Sequence, residues 1–140
     1  MQWELIPRRG IRTARTEILL GSSREDNRAL MAAVPLSREN HRDGEDQFVG
    51  DGTMIFLRYQ GDVLDRIMFI HGRLSLDGLE LHGTTWAEVE PALRERGYTF
   101  DGPKYFADGL ECPELGVNIA TWEDVGGDGD GIEWVSMWQQ

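Results

Sequence analysis

Met54-Ile55-Phe56-Leu57-Arg58-Tyr59 and Val63-Leu64-Asp65-Arg66-Ile67-Met68-Phe69-Ile70, separated by Gln60-Gly61-Asp62, decide the class of this fold. Both runs are rich in β-branched, aromatic and long aliphatic residues. A Gly-Asp pair between two such runs predicts a tight hairpin. Upstream, Gly21-Ser22-Ser23-Arg24-Glu25-Asp26 sets hydroxyl residues ahead of first-turn acids. That order marks a helix start, where a serine side chain satisfies free backbone N–H groups. Leu30, Met31 and Val34 then recur at helical spacing, and Pro35 stops the helix. The polar stretch that follows, through Gln47, reads as a loop.

The same order of elements returns further along. In Gly83-Thr84-Thr85-Trp86-Ala87-Glu88 the residues Thr85 and Glu88 stand in capping-box register. Val89, Ala92 and Leu93 supply a buried stripe and Gly97 a C-terminal stop, while Pro91 predicts a kink or a shorter helix. Strands are expected around 98–100, 105–107, 115–122 and 132–138, the last two joined by the loop 123–131. Aligning Gly21 with Gly83 gives an offset of 62, and aligning Gly61-Asp62 with Gly129-Asp130 gives 68. Two readings stand: pseudo-repeats 18–71 and 79–138 from a duplicated helix-strand-strand unit, or chance recurrence in an α+β chain. Residues 3–7 read as a short edge strand ended by Pro7. Strand-like Ile18-Leu19-Leu20 and Leu79-Glu80-Leu81 lead into the two helices. The expectation is a single α+β domain over 1–140, a largely antiparallel sheet with two short helices on one face.

With 140 residues, 40 % of them hydrophobic, the chain can bury one core of ordinary size. No run approaches the ~20 apolar residues of a membrane helix, and residues 1–10 lack the apolar stretch of a signal peptide. A cytoplasmic protein without a membrane partner is expected. The formal charge of −11 argues against nucleic acid as a ligand, because phosphate binding needs clustered cations. That charge is uneven. Residues 1–43 hold eight arginines and six acids, a net of +2, whereas the remainder holds six cations and nineteen acids, a net of −13. Either the basic beginning packs beside the acidic end, or the acidic end is a solvated or partner-facing surface.

Little in the sequence assembles chemistry. His41, His71 and His82 lack the spacing of a helical zinc site, and a lone His beside a turn is usually solvated or capping. Cys112, the single cysteine, forms no internal disulfide and no cysteine-based zinc site, and Glu111 and Glu114 beside it raise its thiol pKa. No nucleophile elbow, phosphate loop or dinucleotide fingerprint occurs. A non-enzymatic protein with no cofactor and no metal is therefore expected. The Asp/Gly-rich loop 124–133 keeps an alternative open, a calcium- or small-ligand-binding domain. It departs from an EF-hand loop at Gly126 and Val135.

Trp122, Trp134 and Trp138 stand beside these acids. Alternation along the last strand puts Ile132, Trp134, Ser136 and Trp138 on one face, with Glu133, Val135 and Met137 on the other. Tryptophans in a small sheet are commonly core, but an aromatic rimmed by carboxylates also has the composition of a contact site for a basic partner. Trp122, Glu123, Asp124, Asp128, Asp130, Glu133 and Trp134 are the partner-binding candidates on this reading.

Gly21-Ser22-Ser23-Arg24-Glu25-Asp26-Asn27-Arg28-Ala29-Leu30 resembles the Gly-Met-Ser/Thr-x-Glu-Glu-Val helix start of β-lactamase-inhibitor-protein-like folds and of small bacterial immunity proteins of polymorphic toxin systems. The opening Trp3-x-Leu5-Ile6-Pro7 with Gly10-Ile11 is similar to the start of such immunity proteins. Ser22 replaces the usual Met, and Asn27 an apolar residue. The resemblance covers about a fifth of the chain. It implies a duplicated unit with helices on one face of an antiparallel sheet. It further implies a protein that neutralises a cognate toxin domain by direct binding.

Overall fold

The computed structural model describes residues 1–40, 43–101 and 109–139. In chain order the elements are β1 (Gln2–Ile6), β2 (Gly10–Arg12), β3 (Glu17–Leu19), α1 (Arg24–Met31), β4 (Ser37–Asn40), β5 (Glu45–Gly50), β6 (Thr53–Gln60) and β7 (Val63–His71). They continue with β8 (Arg73–Leu76), β9 (Leu79–Glu80), α2 (Trp86–Glu95), β10 (Leu110–Cys112), β11 (Val117–Thr121), a 3-10 turn (Glu123–Val125) and β12 (Ile132–Trp138). No helix among the described residues is long and apolar enough to cross a membrane.

The strands form two sheets rather than one. A seven-stranded antiparallel sheet runs β10-β11-β12-β7-β6-β5-β4, and a five-stranded mixed sheet runs β3-β2-β1-β8-β9. The mixed character comes from β1, which pairs antiparallel with β2 and parallel with β8. β1 is therefore no edge strand, and Trp3 is fully buried. One hydrophobic cluster joins the sheets. Trp3, Leu5, Ile11, Ile18, Leu74 and Leu76 come from the smaller sheet. Phe48, Ile55, Leu57, Ile67, Phe69, Val117, Ile119, Val135 and Met137 come from the inner face of the larger one.

Local signals explain much of the rest. Ser23 caps α1, its hydroxyl accepting from the Asp26 N–H at 3.2 Å. The buried face of α1 differs from the expected stripe, because Leu30 is 41 % exposed and Asn27 is wholly buried. Asn27 is tolerated inside because it accepts from the Ser22 hydroxyl and donates to the Tyr59 hydroxyl. The described parts of the stretch expected to be a polar loop are instead strand, β4 pairing antiparallel with β5. Its Asp46 is fully buried and is held by the guanidinium groups of Arg24 and Arg28, each at 2.9 Å. Burial alone would raise this carboxyl's pKa, but the hydrogen bonds from Arg28 and Arg24 outweigh it and hold the group at about 2.

α2 runs through Pro91 for ten residues. It ends in a Schellman arrangement: Gly97, at φ 92°, donates to the Arg94 carbonyl, and Tyr98 donates to the Leu93 carbonyl. The chain at 98–100 is not a strand; Asp101 makes an isolated bridge with Glu111. The strand expected at 105–107 and His41 lie outside the described residues.

Residues related by the offsets of 62 and 68 make matching contacts. Ser23 bridges Val63 as Thr85 bridges Gly131. Leu64 N–H donates to the Ser22 carbonyl as Ile132 N–H donates to that of Thr84, and Arg24 N–H donates to Asp62 as Trp86 N–H does to Asp130. β7 and β12 lie side by side with Phe69 opposite Val135, Met68 opposite Ser136 and Ile67 opposite Met137.

Candidate protein-binding site

The hairpin between β11 and β12 gathers the residues singled out in the sequence but gives them different tasks. Ladder bonding continues past β11: Trp122 N–H donates to the Gly131 carbonyl at 2.9 Å and Glu123 N–H to that of Gly129 at 3.1 Å. The chain then tightens into the 3-10 turn, and the Gly127 N–H returns to the Trp122 carbonyl at 2.7 Å. This loop is ordered by its own backbone bonds.

Trp122 is 43 % exposed and rests on glycines. A Cβ on Gly131 would stand 3.0 Å from its Cδ1 and 3.3 Å from Nε1; one on Gly127 would stand 3.2 Å from the Trp122 carbonyl oxygen and 3.5 Å from Cε3. Neither glycine has the left-handed φ that requires glycine. A side chain at either position would crowd Trp122.

The carboxylates divide into two groups. Asp124 turns back and accepts from the Thr121 N–H at 2.8 Å and from the Thr121 hydroxyl at 3.1 Å. Asp130 accepts from the Ala87 N–H at 3.0 Å while its carbonyl receives the Trp86 N–H at 2.8 Å. It thus caps α2. Thr85, the expected capping-box residue, makes no side-chain cap, and Thr84 rather than Thr85 bonds Glu88. Glu123 and Asp128 are exposed beside Trp122 and Gly127. Among the described residues no ion pair joins an arginine to Glu123, Asp124, Asp128, Asp130 or Glu133. Three of the arginines in residues 1–43 pair elsewhere, Arg12 with Glu4 and Arg24 and Arg28 with Asp46.

Glu133 and Trp134 sit at a bulge. Ala120 faces Trp134 but Thr121 faces Ile132, leaving Glu133 as the extra residue. The bulge resets the alternation expected for β12, so Ile132 belongs with Val135 and Met137 in the core instead of with Trp134. Glu133 Oε2 and Trp134 Nε1 are shut off from solvent and meet no hydrogen-bonding partner among the described residues. Trp138 lies further along β12, with the Arg66 guanidinium 3.9 Å from its ring centroid and Arg66 Nε donating to Ser136 Oγ at 3.0 Å. Arg66 was not singled out in the sequence. Its place opposite Trp138 depends on the β7–β12 pairing, which joins strands far apart in the chain.

The other titratable candidates are structural. His82 is buried, and its Nε2 lies 2.9 Å from the Glu133 carbonyl, which fixes that nitrogen as the donor. Burial lowers its pKa. This histidine is thus neither solvated nor capping, while His71 is exposed, its ring 6.3 Å from that of His82. Cys112 is buried in β10, and burial first, then Glu114, pushes its thiol up to about 11. No group of three His, Cys, Asp or Glu side chains among the described residues is placed to hold a metal ion.

Fold and site together define an α+β protein, mostly strand, carrying an acidic hairpin with an exposed tryptophan. Comparison with protein-family models, with curated proteins and with solved structures finds no match to the chain.

Proposed function

We propose that this chain is a non-enzymatic acidic protein-binding domain, an immunity protein that neutralises a basic toxin domain by direct binding. The observation that carries this reading is Trp122, exposed beside Gly127 and Gly131 in a hairpin whose carboxylates form no ion pair with an arginine among the described residues. Exposed tryptophans on ordered backbone are typical interface anchors, and unpaired carboxylates around one steer a cationic partner toward it. Trp122, Glu123 and Asp128 are the direct contacts, with Glu133 and Trp134 at the base. Asp124 and Asp130 hold the hairpin in shape. The matching contacts at offsets 62 and 68 support two copies of one helix-strand-strand unit as the scaffold.

The test is association with the protein encoded beside this chain in its genome, followed by surface plasmon resonance at several salt concentrations. A basic partner is expected whose association slows with salt, and Glu123→Lys with Asp128→Lys should slow it at least ~10-fold at low salt. An unchanged association rate removes this surface. The calcium-binding alternative is weaker, because Asp124 and Asp130 are already engaged by backbone N–H groups. A rise in melting temperature with micromolar Ca²⁺ would restore it.

A further inference from the structure

Resting on that reading, we infer that the Trp122 hairpin selects guanidinium over ammonium, so that its partner presents an arginine side chain to the indole. Gly127 and Gly131 lie against the Trp122 ring, one at its benzo edge and one at its pyrrole edge. With 43 % of the residue exposed, ring surface remains open to solvent. An open indole face attracts cations through its quadrupole, and tryptophan does so more strongly than tyrosine or phenylalanine. The planar, weakly hydrated guanidinium stacks on such a face and can pair a carboxylate in its own plane. An ammonium keeps its water and acts as a point charge.

Two exposed carboxylates belong to the same short hairpin loop, since Glu123 follows Trp122 and Asp128 follows Gly127 in the chain. Asp124 and Asp130 are engaged with Thr121 and Ala87. Glu123 and Asp128 therefore provide the charge for an incoming cation. The same sheet already contains the stacked arrangement, with Arg66 over Trp138 at 3.9 Å and its Nε held by Ser136.

Hepta-arginine and hepta-lysine peptides of equal charge test this at low ionic strength. The readout is the indole N–H resonance of Trp122 in the labelled full chain, assigned with Trp122→Phe, together with peptide affinity. Hepta-arginine is expected to bind at least about threefold more tightly. Trp122→Leu should cost hepta-arginine more than hepta-lysine and bring the two affinities level, while Asp128→Asn weakens both. Circular dichroism melting confirms that each variant folds. Equal binding of both peptides, with no effect of Trp122→Leu, overturns the stacking inference but leaves cation binding intact. No binding of either peptide overturns the acidic-surface reading and the inference with it.

Discussion

The carboxylate of Asp130, just ahead of β12 in the β11–β12 hairpin, accepts a hydrogen bond from the backbone N–H of Ala87 in the first turn of α2, 3.0 Å away. Residues 43 positions apart are thus joined by a cap that the helix lacks from its own sequence, because Thr85 makes none. A negative charge there also meets the positive end of the helix dipole. The contact ties the exposed Trp122 loop to the body of the protein.

Asp130→Ala should therefore destabilise the protein by about 1 kcal/mol, the usual cost of losing a helix cap. Asp128→Ala, with an exposed carboxylate, should stay within about 0.5 kcal/mol of the parent. Urea unfolding followed by circular dichroism separates the two. Equal effects would deny Asp130 its capping role.

A methyl group at Gly131 would press on the Trp122 pyrrole ring, 3.0 Å from Cδ1. Gly131→Ala is expected to cost about 1 kcal/mol through crowding and to make tryptophan emission more quenchable by acrylamide. In a Trp122→Ala background the same substitution should be nearly neutral. Coupling of that size in a double-mutant cycle is the measurement.

Folding lowers the Asp46 carboxyl from 3.8 to about 2. Between those values the unfolded chain binds more protons than the native one. The contribution is fully present above about pH 4 and is lost as pH falls toward 2. Asp46→Asn should cost about 3 kcal/mol at pH 7, since it leaves Arg24 and Arg28 without their carboxylate. The variant should also lose the steep part of the acid profile between pH 4 and 2. Urea midpoints measured from pH 7 to pH 2 test both statements.

With its thiol at about 11 and its side chain buried, Cys112 should react with a thiol reagent at pH 8 no faster than the protein opens. Reaction should become fast in denaturing urea. Rapid native-state labelling would place Cys112 in an accessible environment.

The sequence by itself determined the local elements. The hairpin of β6 and β7 follows from two apolar runs around Gly61-Asp62, the start of α1 from Ser23, and the end of α2 from Gly97. Each depends on contacts a few residues apart, so composition and spacing carry the signal. Only the tertiary structure decided which strands share a sheet, since pairing β1 with β8 or β7 with β12 joins distant segments that no local preference specifies. The burial of Asp46 and Asn27 has the same origin, because a polar residue becomes a core residue only once Arg24, Arg28 or Tyr59 is folded against it. So does the division among the hairpin acids. Glu123, Asp124, Asp128 and Asp130 look alike in sequence. What separates them is whether folding brings a backbone N–H to the carboxylate, as it does for Asp124 and Asp130, or leaves the side chain exposed, as it does for Glu123 and Asp128.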